Sequence, residues 1–140
     1  MVDRYDLERF LEAQAGVYEQ ACVELRAGRK WSHWMWFVFP QIRGLGSSPM
    51  AVRFAISGME ETRAYLEHPI LGPRLRECAG IVVGVEGKTV EEIFGYPDDL
   101  KFHSSMTLFA KASTIGAGVF GDVLEKYFGG EMDRGTLDRI

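Results

Sequence analysis

The segment RKWSHWMWFVFPQIRGLGSSP, residues 29–49, decides how the rest of the chain is arranged. It contains every tryptophan of the protein, namely Trp31, Trp34 and Trp36. The apolar run WMWFVF has the composition of either a short helix or a buried strand, and periodicity does not separate the two over so few residues. We favour a short helix over residues 33–38, capped by Ser32 and ended by Pro40, because no other segment offers a partner strand.

Helical signals before this segment predict one long helix. Asp3 can cap its start, and apolar residues recur at helical spacing from Leu7 to Leu25. Gly28 is a typical C-terminal stop, because glycine adopts the left-handed conformation without strain.

Helical signals after the segment predict a series of shorter helices. Ser48-Pro49 is an N-cap followed by proline at the first helical position, which opens a helix to Ile56. Further starts are indicated at Ser57-x-x-Glu60, Gly72-Pro73, Thr89-x-x-Glu92 and Asp98. The helix after Asp98 is expected to run to about Ala112. A last amphipathic helix over residues 120–128 ends at Gly129, and the polar residues 131–140 follow it.

Size and composition are those of one domain. The chain has 140 residues with 46% hydrophobic content, enough for a single sizeable core. The absence of strand pairs joined by hairpin turns excludes a sheet protein. We therefore predict an all-α fold, a single compact domain over residues 1–140 with seven or eight mostly short helices.

The charge of the chain argues against some classes of partner and leaves the role of one basic segment open. The net charge of −4 argues against a nucleic-acid polymer or a membrane surface as the partner. Between Glu24 and Glu60 there is no acidic residue, but there are five basic ones: Arg26, Arg29, Lys30, Arg43 and Arg53. These bases either form a local anion site or pair with acidic helices across the core.

Cysteine usage and hydropathy predict a cytoplasmic protein. Cys22 and Cys78 fall on the apolar faces of predicted helices, which favours buried free thiols over the alternative of a structural disulfide. The N-terminus lacks the apolar stretch of a signal peptide, and no apolar run approaches the length that spans a bilayer.

The histidines, which are common metal ligands in proteins, are scattered along the sequence. His33, His68 and His103 are far apart in sequence, and the chain has no HExxH or CxxC motif. The sequence therefore predicts no metal site, and it implies no cofactor.

One helix carries an unusual polar face. Lys101, Ser104 and Ser105 are neighbours on the helix that follows Asp98, because residues three and four apart lie on one side of a helix. Serine is unfavourable inside helices. Two adjacent serines among apolar residues indicate either close helix packing or a face that lines a pocket.

The turn after the aromatic run is the second candidate. Gln41, Arg43, Gly44 and Gly46 lie in it, followed by two serines. Glycines let the backbone approach a ligand closely, and the helix that starts at Pro49 offers free N–H groups to an anion.

Together these residues predict a pocket for an anionic, nucleotide-like small molecule. An aromatic side chain would stack on the ligand beside the basic groups. The predicted pocket residues are Trp34, Trp36, Gln41, Arg43, Gly44, Gly46, Lys101, Ser104 and Ser105. His33 is the candidate for an acid or base at neutral pH, with Asp98 or Asp99 next. Whether Arg43 and Lys101 converge depends on the tertiary structure.

Longer motifs resemble a known bacterial family. The resemblance rests on four segments: SHWMWFVFPQIRGLGSSPMAVRFAI, AYLEHPILGPRL, IFGYPDDLKFHSSMTLFA and LEKYFGGEMDRGTL. They resemble the family called domain of unknown function eighteen-ten, some members of which are labelled calpastatin-like. The resemblance extends along nearly the whole chain and implies an all-helical fold. It implies no established activity.

A looser similarity is to the NADAR domains, which are linked to NAD and ADP-ribose derivatives. Some of those domains cleave N-glycosidic bonds. The similarity covers the spacing of Tyr65 to Leu75 and the later Ile93-Phe94-Gly95. The acidic residue expected in the NADAR catalytic segment has no counterpart in residues 33–41.

Three functional hypotheses follow. The first is a domain that binds an anionic small molecule in the predicted pocket. The second is a protein-interaction module, in which the aromatic stretch is an exposed patch and homo-oligomer formation is open. The third is an N-glycosidase that acts on NAD, ADP-ribose or ribotide substrates.

Overall fold

A computed structural model describes residues 2–113 and 116–140. In these residues the chain forms ten helices and no β-strand, which confirms the all-α class. The helices are α1 (Glu8–Gln14), α2 (Tyr18–Arg26), α3 (Met35–Val38), α4 (Pro49–Arg53), α5 (Met59–Glu67), α6 (Leu71–Val83), α7 (Val90–Phe94), α8 (Asp98–Ala112), α9 (Gly118–Phe128) and α10 (Arg134–Leu137).

Helix α8 is the centre of the domain. It is buried along most of its length, and α3, α5, α7, α9 and α10 all pack against it. Phe102 on α8 lies with its ring centroid 4.9 Å from Phe39 and 4.4 Å from Phe94. The aromatic run that follows Trp34 therefore packs directly onto the central helix. Such aromatic clusters supply a large share of the buried apolar area of a small core.

The predicted first helix is two helices. Asp3 accepts the backbone N–H of Leu7 and Glu8, at 2.8 and 2.9 Å. The chain then breaks where Ala15 is extended, with ψ of 121°, and Gly16 has φ of +75°. That φ value favours glycine. The break brings Gln14 inward, where its Nε2 donates to the Phe37 carbonyl at 2.8 Å.

Glu24 on α2 fixes the start of the aromatic segment. Its side chain is fully buried and accepts the backbone N–H groups of Trp31 and Ser32, at 2.8 and 2.9 Å. The Trp34 indole Nε1 donates to it at 3.0 Å, and the Ser32 hydroxyl donates as well. Ser32 is therefore not the predicted helix cap, because its hydroxyl is committed to Glu24. Helix α3 accordingly starts at Met35.

Two of the predicted helix starts form as expected. Ser48 Oγ accepts the Ala51 N–H at 3.2 Å at the start of α4, although this helix ends at Arg53 rather than at Ile56. Thr89 and Glu92 form a complete capping box at the start of α7. These contacts lie within four residues, which is why a local pattern predicts them.

A third predicted start uses a different partner. Ser57 donates its N–H and its hydroxyl to Glu61, at 2.9 and 2.8 Å, instead of pairing with Glu60. Arg9 Nη2 donates to Glu61 at 2.9 Å from the other side. The tertiary ion pair therefore draws Glu61 rather than Glu60 into the cap.

The polar tail docks on α8 through the short helix α10. Asp133 N–H donates to Thr107 Oγ1 at 2.9 Å, and His103 Nε2 lies 2.8 Å from the Glu131 carbonyl. The His103 ring also stacks on Phe128, with the centroids 3.9 Å apart. This docking and the break in the first helix raise the number of helices above the seven or eight predicted.

The pH dependence of stability should report on Glu24. Burial raises the pKa of this carboxyl, but the hydrogen bonds from Ser32, Trp31 and Gln20 together outweigh burial and lower it from 4.5 to about 2. A lowered carboxyl pKa gives stability that is present above the unfolded value and is lost as the pH falls through the folded value. We expect Glu24 to contribute about 3 kcal/mol of unfolding free energy, lost between pH 4.5 and about 2.

Glu24→Gln should remove this part of the pH dependence and destabilise the protein at neutral pH by about 2–4 kcal/mol. The reason is that the NH2 group of glutamine would face the N–H and O–H groups that donate to the Glu24 carboxylate. Urea denaturation at pH 7 and at pH 3 measures both effects. Glu19→Gln, an exposed position on the same helix, should change the free energy by less than about 0.5 kcal/mol. Equal effects of the two substitutions would contradict the role assigned to Glu24.

Candidate functional site

An open cleft of about 450 Å³ lies where α3, the turn after it, α8 and the docked tail meet. We call it the Trp36 cleft. Its polar and aromatic lining comprises Trp36, Gln41, Ser47, Ser48, Lys101, Ser104 and Asp133. These residues come from four separate parts of the chain, so the cleft exists only in the folded protein.

The anchoring of Trp34 sets the position of Trp36. Trp34 is fully buried and held by Glu24. Trp36 follows two residues later, at about 200° around the start of α3, so its ring lies on the opposite side. There it is half-buried and forms one wall of the cleft.

Lys101 supplies the positive charge of the cleft. Its Nζ lies 5.1 Å from the centroid of the Trp36 ring, a cation–π arrangement. It also lies 3.4 Å from Asp98 Oδ1, whereas Lys30 Nζ approaches Asp98 Oδ2 to 2.7 Å. Two ammonium groups thus share one carboxylate, and Lys30 is the closer. Lys101 keeps donor capacity for a further anionic group.

Asp133 supplies a carboxylate to the same cleft. Its Oδ2 accepts from Ser104 Oγ at 2.8 Å and from the hydroxyl and N–H of Thr136, at 2.6 and 3.1 Å. Burial raises the pKa of Asp133, but these hydrogen bonds outweigh it and the pKa is lowered. The group is therefore charged at neutral pH. Its Oδ1 accepts no hydrogen bond from the described residues and is available to a ligand.

The turn between α3 and α4 approaches the cleft closely because it contains Gly46. A Cβ at this position would lie 2.7 Å from the Cβ of Ala51. Contacts below 3.0 Å force a shift of the backbone, so only glycine fits without one. Gly46, Ser47 and Ser48 thus line the cleft with backbone and small side chains.

The structure brings together five of the predicted pocket residues: Trp36, Gln41, Gly46, Lys101 and Ser104. The other four, Trp34, Arg43, Gly44 and Ser105, do not line the cleft. Trp34 is buried in the core, since Glu24 binds its indole. Ser105 is fully buried because it is rotated by about 100° from Ser104 on α8. His33, the candidate acid or base, is exposed and lies outside the cleft.

Arg43 and Lys101 do not converge. The Arg43 N–H donates to the Ile56 carbonyl at 2.8 Å, which pins Arg43 beside the chain that follows α4. Its side chain lines a separate groove with Arg9 and Arg53. Gly44, with φ of +99°, faces Arg139, and a Cβ there would lie 2.9 Å from Arg139 Nε. Neither residue contributes to the Trp36 cleft.

Asp133 is a side chain of the cleft that the sequence patterns do not single out. From the sequence alone, the polar residues 131–140 can either dock or fray. A signal is present in Asp133-x-x-Thr136, because aspartate is a preferred N-cap and its side chain accepts the Thr136 N–H. Its place beside Ser104 depends on tertiary docking, which no local pattern shows.

The two half-buried histidines, His68 and His103, make contacts that stabilise the fold. His68 Nδ1 accepts the N–H groups of Ile70 and Leu71, at 3.1 and 3.2 Å, at the start of α6. His103 holds the tail, as described above. Within residues 2–113 and 116–140, no three His, Cys, Asp or Glu side chains come together as a metal-binding group.

The chain is thus an all-α domain with a polar cleft beside its central helix. A family model described as "Protein of unknown function (DUF1810)" matches residues 4–140, so the chain belongs to this family. The fold is similar to the crystal structure of the conserved hypothetical protein Rv1873 from Mycobacterium tuberculosis. The two share 60% sequence identity with a TM-score of 0.95, over 97% of this chain and 96% of the other. No curated protein matches the chain.

In the described ranges, none of the helices combines the length and the hydropathy that crossing a bilayer requires.

Replacing Asp133 should loosen the floor of the cleft. Asp133→Ala removes the N-cap of α10 and the bond to Ser104, so we expect a loss of about 1–2 kcal/mol of unfolding free energy. Amide hydrogen exchange should show faster exchange over residues 134–137. Asp138→Ala, at the C-cap of the same helix, is the matched control, because its ion pair with Arg134 is exposed and worth at most about 0.5 kcal/mol. Unchanged protection of α10 in Asp133→Ala would refute the capping role.

Proposed function

We propose that the protein binds a small anionic molecule with hydroxyl groups, of the nucleotide or sugar-phosphate kind, in the Trp36 cleft. The observation that carries the proposal is the presence of a cation and a carboxylate, Lys101 and Asp133, in the lining of one cleft. Concave sites with a few convergent polar groups are where small ligands usually bind.

Lys101 is suited to the anionic group of such a ligand. The Lys101 side chain is 27% exposed, so it is not buried in a closed ion pair. The Trp36 ring face holds it in place without consuming its hydrogen-bond donors. Charge-assisted hydrogen bonds from an ammonium to a phosphate are stronger than neutral ones. Trp36 therefore supports the proposal by positioning the charge.

Asp133 is suited to hydroxyl groups rather than to a second anion. A charged carboxylate accepts hydrogen bonds and repels phosphate. Ser104 joins the two ends of the site, since it bonds Asp133 and lies one helical turn, about 5 Å, from Lys101. A ligand with its anionic group at Lys101 and its hydroxyls at Asp133 matches this polarity. Nucleotides and sugar phosphates have that arrangement of groups.

The serine turn adds neutral donors. Ser48 Oγ accepts the Ala51 N–H, which leaves its hydroxyl hydrogen free to donate to a ligand. Helix α4 has only five residues, so its N-terminal dipole contributes little. The attraction for an anion therefore depends on Lys101 and not on the helix start that the sequence suggested.

A thermal-shift screen of the whole chain tests the proposal. The probes are AMP, ADP, NAD, ADP-ribose, ribose 5-phosphate and inorganic phosphate at constant ionic strength. A ligand at 100 times its Kd adds about 2.7 kcal/mol of stability, which is easily measured as a rise in Tm. Lys101→Met should lower the affinity for the ligand found by about 10-fold or more, because one charge-assisted bond contributes about 1.5–3 kcal/mol.

Lys111→Met is the matched control, since Lys111 lies on the exposed end of the same helix. It should leave both Kd and Tm nearly unchanged. Equal affinity of the Lys101→Met variant and the unmodified protein, measured by calorimetry, would reject this site. A flat screen with all six probes would reject the ligand class.

The same probes test the glycosidase alternative. Residues 33–41 hold no carboxylate, and Asp133 is the carboxylate of the cleft. Release of a free base, such as nicotinamide from NAD or adenine from ADP-ribose, would add hydrolysis to binding. Bound but unchanged ligand would restrict the protein to a binding function.

A protein-interaction surface is the second candidate function, and one observation favours it. Tyr96 and Leu100 are 75% and 52% exposed beside the cleft. Within the aromatic stretch, Trp34, Phe37 and Phe39 are buried, whereas Trp31 is 54% exposed. Sedimentation velocity over a range of concentrations decides whether copies of the chain associate. Association that Leu100→Glu abolishes would favour this function.

A further inference from the structure

The two cysteines of the chain lie face to face. Cys22 on α2 and Cys78 on α6 have their sulfur atoms 4.0 Å apart, although 55 residues separate them in sequence. Both are free thiols and both are buried. The helices that carry them pack side by side, so the pair is held by the core. The structure therefore agrees with the expectation of free thiols and adds that they are adjacent.

The two thiols differ in their access to solvent. Cys22 lines a surface groove of about 440 Å³, which we call the Cys22 groove. Cys78 lies behind it and does not line the groove. A small reagent in the groove therefore meets Cys22 first, with Cys78 as the second sulfur.

Polar and charged groups surround Cys22 from both helices. Tyr18 and Arg26 come from α2, and Arg74 and Glu77 come from α6. The Tyr18 hydroxyl donates to Glu77, and Glu77 Oε1 lies 3.9 Å from the Cys22 sulfur. The Arg74 guanidinium lies 4.7 Å from the Tyr18 ring centroid. A carboxylate that can take the thiol proton thus lies beside two cations that favour a thiolate.

The hydrogen bond between the sulfurs separates their acidities. The bond from Cys78 lowers the pKa of Cys22 to about 7, against the opposing effect of burial; Arg26 lowers it further and Glu77 raises it. The same bond, together with burial, raises the pKa of Cys78. The outer thiol is therefore the one that ionises first.

We propose that Cys22 and Cys78 are a reversible redox pair, in which a hydroperoxide oxidises Cys22 and Cys78 then closes an intramolecular disulfide. The Cys22 groove is separate from the Trp36 cleft, so this activity goes beyond the proposed binding function. The co-reactants are a hydroperoxide as oxidant and a small or protein dithiol as reductant.

The first step is attack by the Cys22 thiolate on the outer oxygen of the peroxide. An S–O bond forms and the O–O bond breaks; the leaving alkoxide takes the proton that Cys22 gave up, so that sulfenic acid and alcohol result. In the second step the Cys78 sulfur attacks the Cys22 sulfur. The S–S bond forms and the S–O bond breaks, and hydroxide leaves with the Cys78 proton as water. Two thiols and one hydroperoxide thus give one disulfide, one alcohol and one water.

Reduction of the disulfide by the dithiol restores both thiols. A thiolate of the dithiol attacks the disulfide, its second thiol displaces the mixed disulfide, and the reductant leaves as its own disulfide. Closure requires the sulfurs to move from 4.0 Å to about 2.05 Å. The pair joins α2 to α6, so oxidation crosslinks two helices of the core.

The test is oxidation of the folded, full-length chain by an equimolar amount of hydrogen peroxide. We expect both titratable thiols to be lost, the monomer mass to fall by two hydrogen atoms, and a non-reducing digest to contain the Cys22–Cys78 link. Dithiothreitol should restore both thiols. Two thiols that remain after oxidation would overturn the proposal, as would a link found only between two chains.

Two variants test the order of the steps. Cys78→Ser should stop at a sulfenic acid on Cys22, which dimedone labels, whereas Cys22→Ser should leave Cys78 reduced. Dimedone on Cys78 of the unmodified protein, or over-oxidised Cys22 beside free Cys78, would overturn the assigned roles. Circular dichroism confirms that each variant folds, and if one does not, the result with the unmodified chain decides alone.

Discussion

The buried carboxylate of Glu24 is the interaction on which the rest of the fold depends. A buried charge without partners costs several kcal/mol, so it must be satisfied by a cation or by hydrogen bonds. Glu24 takes its donors from the loop at residues 31–34 and from Gln20, and no ion pair forms with it among the described residues. Two of these donors are backbone N–H groups, which fix the loop conformation. The carboxylate therefore acts as a template on which the aromatic segment folds.

The hydrogen bond between Glu24 and Trp34 also determines the geometry of the Trp36 cleft. With the Trp34 indole bound inside, helix α3 can begin only in one rotation, and this rotation directs Trp36 outward to Lys101. Asp98 connects two distant parts of the chain, since it pairs with Lys30 near the start of the aromatic segment and with Lys101 on α8. The position of the cleft charge thus follows from a hydrogen-bond cluster that does not itself line the cleft.

Features that depend on a few neighbouring residues could be predicted from the sequence, and features that depend on distant ones could not. The capping box at Thr89 and the proline start of α4 are local, and both form. The all-α class follows from many such signals together. The sequence does not predict the break at Gly16, because a single glycine within a helical pattern is tolerated. It is needed because Gln14 must turn inward to the Phe37 carbonyl, a contact across 23 residues.

The basic segment shows why charge along a sequence does not place a site. Lys30 is the one of its five bases that forms an ion pair among the described residues, and Asp98 is its partner. Arg43 and Arg53 line a separate groove, and Arg26 lines the groove beside Cys22. The segment bends through α3 and two turns, so consecutive bases point to different sides of the domain. The charge of the Trp36 cleft comes instead from Lys101, outside the segment, because that lysine is the one the Trp36 ring can reach.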